Sequence, residues 1–219
     1  MPKPEASMEA LVELGILPIT IFHPGGATLT RELLTLAEIG EGSRVLDVAC
    51  GVGETACLIT EAFGARVVGI DATLLQIERA KSKAADRGLG VDFQLADAHE
   101  LPFDDDQFDL VMSEAVLCYL DIPRALSEMV RVTRPGGRVG MHDMCWLPGT
   151  PDTIKQRYGE LEHEHPETLD GWITRFEVAG LYPVKGIDRS DFVRRWSRDT
   201  KREIGLFGQL KIGVAIFRR

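Results

Sequence analysis

The stretch Val45-Leu46-Asp47-Val48-Ala49-Cys50-Gly51-Val52-Gly53 joins a short apolar run to a turn with two glycines. The residues that follow, Glu54 to Phe63, have a pattern typical of a helix, so the stretch predicts a strand, a tight turn and a helix N-terminus. The free N–H groups and the positive dipole end of such a helix can receive an anionic or polar group. The spacing Gly51-x-Gly53-x-x-Ala56 also fits a dinucleotide fingerprint or an ordinary βα turn. Other features of the sequence must therefore decide whether this turn binds a ligand and which one.

The rest of the chain continues this alternation of strands and helices. Further strands are predicted from apolar, β-branched runs, and the helix after Asp121 has its apolar residues at positions i, i+3, i+4, i+7 and i+8. The predicted strands are Val45–Val48, Arg66–Ile70, Val91–Ala96, Phe108–Met112, Val139–Met144, Tyr182–Ile187 and Leu210–Phe217. This order predicts an α/β fold with a doubly wound, mostly parallel, seven-stranded Rossmann-like sheet and an antiparallel C-terminal edge.

The residues outside this alternation of strands and helices predict how the chain is organised into regions. Residues 1–42 are expected to form N-terminal helices, one starting at Thr28 or Thr30 and ending near Ile39, that act as a lid. The main domain is expected over residues 43–219, with residues 146–168 as an insertion on the substrate side. A charged helix is predicted over roughly Phe192 to Ile204.

Composition excludes several classes of protein. The chain has 219 residues, 44% of them hydrophobic, and a net charge of −9, which disfavours a broad interface with nucleic acid. Its four cysteines are scattered without zinc-like spacing, and no signal peptide or membrane-spanning run is evident. We therefore expect a cytoplasmic protein without a membrane span whose partner is a small-molecule substrate. Its oligomeric state cannot be predicted.

Polar residues follow four consecutive predicted strands. The glycine turn follows the first strand, Asp71 the second, Asp97 the third, and Ser113 with Glu114 the fourth. In a doubly wound sheet these strand ends lie side by side, where ligands bind. A carboxylate such as that of Asp71 can accept hydrogen bonds from both hydroxyls of a ribose.

With these motifs the chain resembles a class I S-adenosylmethionine-dependent methyltransferase of the ubiquinone/menaquinone-biosynthesis (methyltransferase type 11) branch. The resemblance covers about residues 28–145 in the expected order. The motifs that carry it are Val45 to Gly53, Val68-Gly69-Ile70-Asp71, Ala96-Asp97-Ala98-His99-Glu100-Leu101-Pro102-Phe103, Phe108-Asp109-Leu110-Val111 and Arg134-Pro135-Gly136-Gly137.

The resemblance implies S-adenosyl-L-methionine as cofactor, S-adenosyl-L-homocysteine as product, and a site residue for each part of the cofactor. The methionine end would bind at the turn, the ribose at the residues after the second strand, and the adenine at those after the third. Residues after the fourth strand would support the methionyl end. The implied cofactor-binding residues are Asp47, Ala49, Gly51, Gly53, Asp71, Ala72, Asp97, Ala98, Ser113 and Glu114.

Two departures from the family pattern bear on function. Ala49 stands where glycine is more usual, and Cys118-Tyr119 stands where family members often have paired histidines. The second departure removes the family's guide to a catalytic base. The charge of Asp47 in the first strand favours this family over a dehydrogenase. A carboxylate there suits a cationic ammonium group and would be unfavourable beside a pyrophosphate.

Three residues are candidates for acid–base catalysis if the acceptor must lose a proton: His142, Asp143 and His23. Glu114 is a further candidate, although each histidine could equally have no catalytic part. His163-x-His165 suggests a metal pair, but residues two apart do not share a helix face, so no metal site is predicted.

Three functions remain open from the sequence. The first is methyl transfer to a small-molecule acceptor. The second is a catalytically inactive methyltransferase-like subunit that only binds the nucleotide. The third is an NAD-dependent oxidoreductase, because the glycine spacing also fits that class.

Overall fold

The computed structural model describes residues 25–191 and 210–218. Its helices are α1 (Gly26–Leu36), α2 (Glu54–Phe63), α3 (Leu74–Asp86), α4 (Ile122–Val132), α5 (Asp152–Glu162) and α6 (Leu169–Val178), with a 3₁₀ turn at Leu117–Tyr119. Its strands are β1 (Arg44–Val48), β2 (Arg66–Asp71), β3 (Asp92–Leu95), β4 (Phe108–Glu114), β5 (Thr133–Trp146), β6 (Glu167–Thr168), β7 (Val184–Asp188) and β8 (Leu210–Arg218).

One sheet joins all the strands in the order β3-β2-β1-β4-β5-β8-β7, with β6 beside the end of β5. The pairs among β1 to β5 are parallel, whereas β8 runs antiparallel to both β5 and β7. The predicted doubly wound sheet with an antiparallel C-terminal edge is therefore confirmed. The short strand β6 adds an eighth strand that the sequence pattern did not reveal, because two residues are too few to show periodicity.

The described helices cover both faces of the sheet, as crossover connections between parallel strands require. One apolar cluster lies on the side of α1, α2 and α3 and includes Leu33, Ile59 and Phe93. The other lies on the side of α4 and α6 and includes Leu126 and Trp172. Because side chains alternate along a strand, the neighbouring residues Val111 and Met112 of β4 enter opposite clusters.

Some predicted boundaries differ from the structure. Helix α1 begins at Gly26, before either predicted threonine, and ends at Leu36. The predicted insertion contains helix α5 and the residues that lead into β6. The predicted helix over residues 192–204 and the first 24 residues, including His23, lie outside the described residues. None of the helices in the described ranges has the length and apolar character needed to cross a membrane.

The two glycines of the turn after β1 have different physical reasons to be glycine. Both have left-handed backbone angles, with φ of 52° at Gly51 and 75° at Gly53. An added Cβ at Gly51 would meet no atom within 4 Å, so this part of the turn has an open face. At Gly53 it would lie 2.6 Å from Cζ of Phe93 and 2.8 Å from Cβ of Ala80. Gly53 thus allows α2 to pack closely on the neighbouring layer.

Replacing Gly51 and Gly53 by alanine, one at a time, separates the free-energy cost of backbone strain from the cost of steric crowding. Gly51→Ala should lower the free energy of unfolding by about 1–2 kcal/mol, the cost of a left-handed non-glycine residue. Gly53→Ala should cost about 1–3 kcal/mol more, because the Cβ also overpacks the contact with Phe93. Urea denaturation of both variants measures this difference, and equal losses would show that Phe93 relaxes freely.

Candidate functional site

Residues with left-handed backbone follow two adjacent strands at the carboxyl edge of the sheet. Ala49, directly after β1, has a φ of 61°, and Ala115, directly after the adjacent strand β4, has a φ of 58°. Left-handed backbone at a residue other than glycine costs free energy and is found at functional sites more often than elsewhere. Two such residues at neighbouring strand ends therefore mark the carboxyl edge of the sheet as a candidate site.

Asp71 connects the end of β2 to this turn. Its Oδ2 accepts a hydrogen bond from the Gly51 N–H at 3.0 Å, and its Oδ1 accepts one from the Thr73 N–H at 2.9 Å. Each carboxylate oxygen can accept a second hydrogen bond, so the group can hold the turn and still receive two hydroxyls. Asp71 is partly exposed and Ala72 beside it is exposed, so a ligand can reach both predicted residues.

The carboxylate of Asp97, after β3, accepts two hydrogen bonds from His99. Its Oδ1 accepts hydrogen bonds from the His99 N–H at 2.8 Å and from the His99 ring at 2.7 Å. Nε2 of the same ring accepts from the Asp121 N–H, so the proton of a neutral His99 lies on Nδ1. The two bonds from His99, the backbone one first, hold the pKa of Asp97 below its usual range. Within the described ranges Oδ2 of Asp97 accepts no hydrogen bond, and the predicted neighbour Ala98 is buried.

Asp47 lies in the interior of β1, where its side chain is buried. Burial raises the pKa of the nearby Cys50 thiol, and the negative charges of Asp47 and Asp71 raise it further. Cys50 is therefore a neutral thiol and no nucleophile. The buried carboxylate of Asp47 next to the open turn is suited to a cationic group, as the sequence predicted.

Glu114 and Ser113, at the end of β4, point to opposite faces of the sheet. The Glu114 carboxylate accepts hydrogen bonds from Thr30 Oγ1 of α1 at 2.9 Å and from Thr55 Oγ1 of α2 at 2.8 Å. Thr55 lies in the first turn of α2, where a negative charge is also stabilised by the helix dipole. Glu114 therefore ties two helices to the carboxyl edge. Ser113 is buried on the opposite face.

His142 and Asp143, two of the predicted candidates for acid–base catalysis, are also divided between the two faces. His142 lies beside Glu114, with Nδ1 3.8 Å from Oε1, whereas Asp143 accepts hydrogen bonds from the backbone N–H groups of Cys118 and Met144. Both side chains are buried. The two residues thus do not form one acid–base pair, because adjacent positions of a strand cannot share a face.

A polar cluster with a buried carboxylate, which the sequence did not predict, lies beside Asp143. Glu164, after α5, accepts hydrogen bonds from the hydroxyls of Tyr119 and Tyr158. The His165 N–H donates to the Cys118 carbonyl at 2.7 Å, so the same segment is tied to the 3₁₀ turn. The sequence offered no signal for this cluster, because Glu164 and Tyr119 are 45 positions apart.

His163 and His165 are not part of a metal site in the described residues. His163 ends α5 with a left-handed backbone, and the His165 ring packs against Gly159. Within the ranges that the structure describes, no three His, Cys, Asp or Glu side chains are close enough to hold a metal ion.

Asp143 should make stability depend on pH. Burial, the largest cause, raises its pKa from 3.8 to about 6. The folded state therefore holds this proton more tightly than the unfolded chain, so ionisation of Asp143 lowers stability as pH rises from about 4 to 6. The loss from this group should approach about 3 kcal/mol and stay constant at higher pH. Wild type and Asp143→Asn, unfolded in urea across pH 4–7, should diverge in this interval, and parallel curves would contradict the assignment.

Comparison with known proteins agrees with this geometry. A family model described as a methyltransferase domain matches residues 46–141, from β1 to β5. The chain is 33% identical over 186 residues to 27-O-demethylrifamycin SV methyltransferase of Amycolatopsis mediterranei, covering 81% of this chain and 68% of that protein. It is 34% identical over 182 residues to methyltransferase GfsG of Streptomyces halstedii, covering 77% of this chain and 63% of that protein, so it spans less than two thirds of GfsG.

The fold is also that of solved methyltransferases. The geranyl diphosphate C-methyltransferase of Streptomyces coelicolor, solved with S-adenosyl-L-homocysteine, superposes with a TM-score of 0.79 at 18% identity, over 89% of this chain and 76% of that one. Its identity is too low to indicate more than the fold. The family match and the closer relatives show that the chain belongs to the methyltransferase-domain family, as a class I S-adenosylmethionine-dependent methyltransferase.

Proposed function

We propose that the cofactor lies along the carboxyl edge of β1 to β4 and that its methyl group passes to a small molecule held beside β4, β5 and α5. The observation that supports this assignment is the linked pair of Asp71 and Gly51, in which a partly exposed carboxylate is bonded to an open backbone turn. When bound, S-adenosylmethionine supplies an activated methyl group on a sulfonium.

The residues at this edge fit the cofactor part by part. Asp47 and the turn Ala49–Gly53 would hold the ammonium and carboxylate groups, Asp71 with Ala72 the ribose, and Asp97 with Ala98 the adenine. Oδ2 of Asp97, which accepts no hydrogen bond within the described ranges, can accept one from an adenine amino group. Ser113 and Glu114, at the end of β4, would support the methionyl end. Glu114 would do so through its contacts with α1 and α2.

The protein's part in the reaction is to align the two substrates and exclude water. Proximity and orientation can account for a large share of the barrier in a displacement on an activated donor. His142 and Asp143 are buried on opposite faces, which favours supporting roles for them. His23 stays a candidate base from the segment before α1.

The acceptor is proposed to be a small molecule because the similar proteins act on small molecules by name and the chain is acidic, with a net charge of −9. The same acidity disfavours nucleic acid as a partner. We propose a cytoplasmic location on the sequence evidence.

Two alternatives use the same edge of the sheet. A catalytically inactive subunit would bind the nucleotide and transfer nothing. An NAD-dependent oxidoreductase would place a pyrophosphate near the buried Asp47 carboxylate, which is electrostatically unfavourable. Titration calorimetry with S-adenosylmethionine and with NADH, followed by a methyl-transfer assay on a metabolite panel, separates the three.

Asp71 variants test the assignment at the level of one side chain. Asp71→Ala loses charge-assisted bonds worth about 1.5–3 kcal/mol each, so S-adenosylmethionine affinity should fall at least about tenfold. Asp92→Ala, an exposed carboxylate at the opposite end of β3, is the matched control and should bind normally. Unchanged affinity in Asp71→Ala, or tighter binding of NADH by wild type, would reject the proposed site.

The segment before α1 is proposed to close over the cofactor. This segment ends at Gly25, and α1 is anchored at the site by the Thr30–Glu114 hydrogen bond. The apolar stretch Leu14–Phe22 in it could exclude water from the methyl donor.

Amide hydrogen exchange tests this lid. S-adenosylmethionine should slow exchange across residues 16–30 and leave the last turn of α4, residues 129–132, unchanged, because that turn leads into the first residue of β5 at the opposite end of the sheet. Thr30→Val, which removes the anchor to Glu114, should reduce the protection. Fast exchange over residues 16–30 that is identical with and without cofactor would reject the lid.

A further inference from the structure

The strongest unassigned feature is the cluster of Tyr119, Glu164 and Tyr158. Tyr119 is 47% exposed, whereas Glu164 and Tyr158 are 7% and 2% exposed. The cluster thus exposes part of Tyr119, whose hydroxyl donates to a carboxylate that is buried. Tyr119 ends the 3₁₀ turn directly after β4, the strand that pairs with β1. Its position is therefore on the same edge as the turn Ala49–Gly53.

The backbone that carries Tyr119 is fixed from two sides. The Cys118 N–H donates to Asp143 Oδ2 at 3.2 Å, and the Cys118 carbonyl accepts from the His165 N–H at 2.7 Å. The Glu164 carboxylate is fixed as well, because its Oε2 accepts from the Tyr158 hydroxyl at 2.7 Å while its Oε1 accepts from Tyr119. A partly exposed phenol with this much support is preorganised rather than incidental.

The second phenol has a different role from the first. Burial, and then the hydrogen bond to Glu164, raises the pKa of Tyr158 far above its ordinary value, so it stays a neutral donor. Its ring packs edge-on against Trp146, with 5.2 Å between ring centroids. Tyr158 therefore orients Glu164 and cannot itself touch a substrate.

Resting on the proposed function, we propose that Tyr119 is a catalytic residue that takes the proton of an O–H or N–H acceptor and passes its own proton to Glu164. This assigns the substrate class as acceptors that lose a proton on methylation. It also gives the insertion after β5 a chemical function, because Glu164 belongs to it.

The proposed step balances. The acceptor's oxygen or nitrogen forms a bond to the methyl carbon while the bond from that carbon to sulfur breaks and leaves its electron pair on sulfur. The acceptor proton moves to the Tyr119 oxygen, and the phenolic proton moves to the Glu164 carboxylate. Tyr119 ends as a neutral phenol and Glu164 as a carboxylic acid, which then loses its proton to water.

Three single variants test the assignment in the full chain. Tyr119→Phe and Glu164→Gln should lower kcat by about 100-fold or more, the usual contribution of a proton-transfer group, with little change in KM or in S-adenosylmethionine affinity. Tyr182→Phe is the matched control, because it removes the hydroxyl of an exposed tyrosine outside this cluster. Its kcat should equal that of wild type.

The acceptors are offered to wild type as matched pairs: a secondary with a tertiary amine, and an alcohol with its methyl ether. Methyl transfer confined to the members with a removable proton supports the proposal. Transfer to the other members, or to none by an enzyme that binds S-adenosylmethionine, overturns it. Failure to bind S-adenosylmethionine would instead reject the proposed function.

A spectroscopic measurement that needs no acceptor completes the test. The chain has three tyrosines, so ¹³Cζ-labelled tyrosine gives three resonances that Tyr119→Phe and Tyr158→Phe assign. With S-adenosyl-L-homocysteine present, Glu164→Gln should shift the Tyr119 and Tyr158 resonances and leave Tyr182 in place. An unmoved Tyr119 resonance, or equal kcat values in Tyr119→Phe and wild type, would overturn the proposal.

Discussion

The hydrogen bond from the Gly51 N–H to the Asp71 carboxylate joins the two halves of the proposed cofactor site. Strands β1 and β2 pair in register, with Val48 opposite Ile70, so the turn after one strand lies level with the carboxylate that ends the other. The hydrogen bond stabilises a turn that contains residues with left-handed backbone, a conformation that costs free energy and persists only where surrounding contacts hold it. It also orients Asp71, so the backbone and the carboxylate meet a ligand as one preorganised unit.

The alternation of side chains along β4 and β5 divides the remaining chemistry between two faces. Glu114 and His142 lie on the side of α1 and α2, where they tie the N-terminal helix to the cofactor turn. Asp143 lies on the side of the 3₁₀ turn, where it holds the backbone before Tyr119. In the proposed function one face therefore supports the cofactor and the other supports the acceptor, although the residues are adjacent in the chain.

Most of the fold could be predicted from the sequence, and so could the position of the candidate cofactor-binding residues along one edge of the sheet. Strands and helices of this length have clear periodicity, and residues directly after parallel strands must meet at one edge whatever the details of packing. Boundaries were less predictable where no periodic signal exists, as at Gly26 and at the two-residue strand β6. The burial of His142 and Asp143 was not predictable, because it depends on what the neighbouring elements cover.

The sequence by itself determined the order of the elements, the class of the sheet and the carboxylates at its edge, because each is set by residues close together in the chain. Only the tertiary structure decided that Gly53 is required by its contact with Phe93 and that Tyr119 meets Glu164. These contacts join residues 40 and 45 positions apart in the chain. Such contacts arise from the packing of whole elements, which no local pattern of residues specifies.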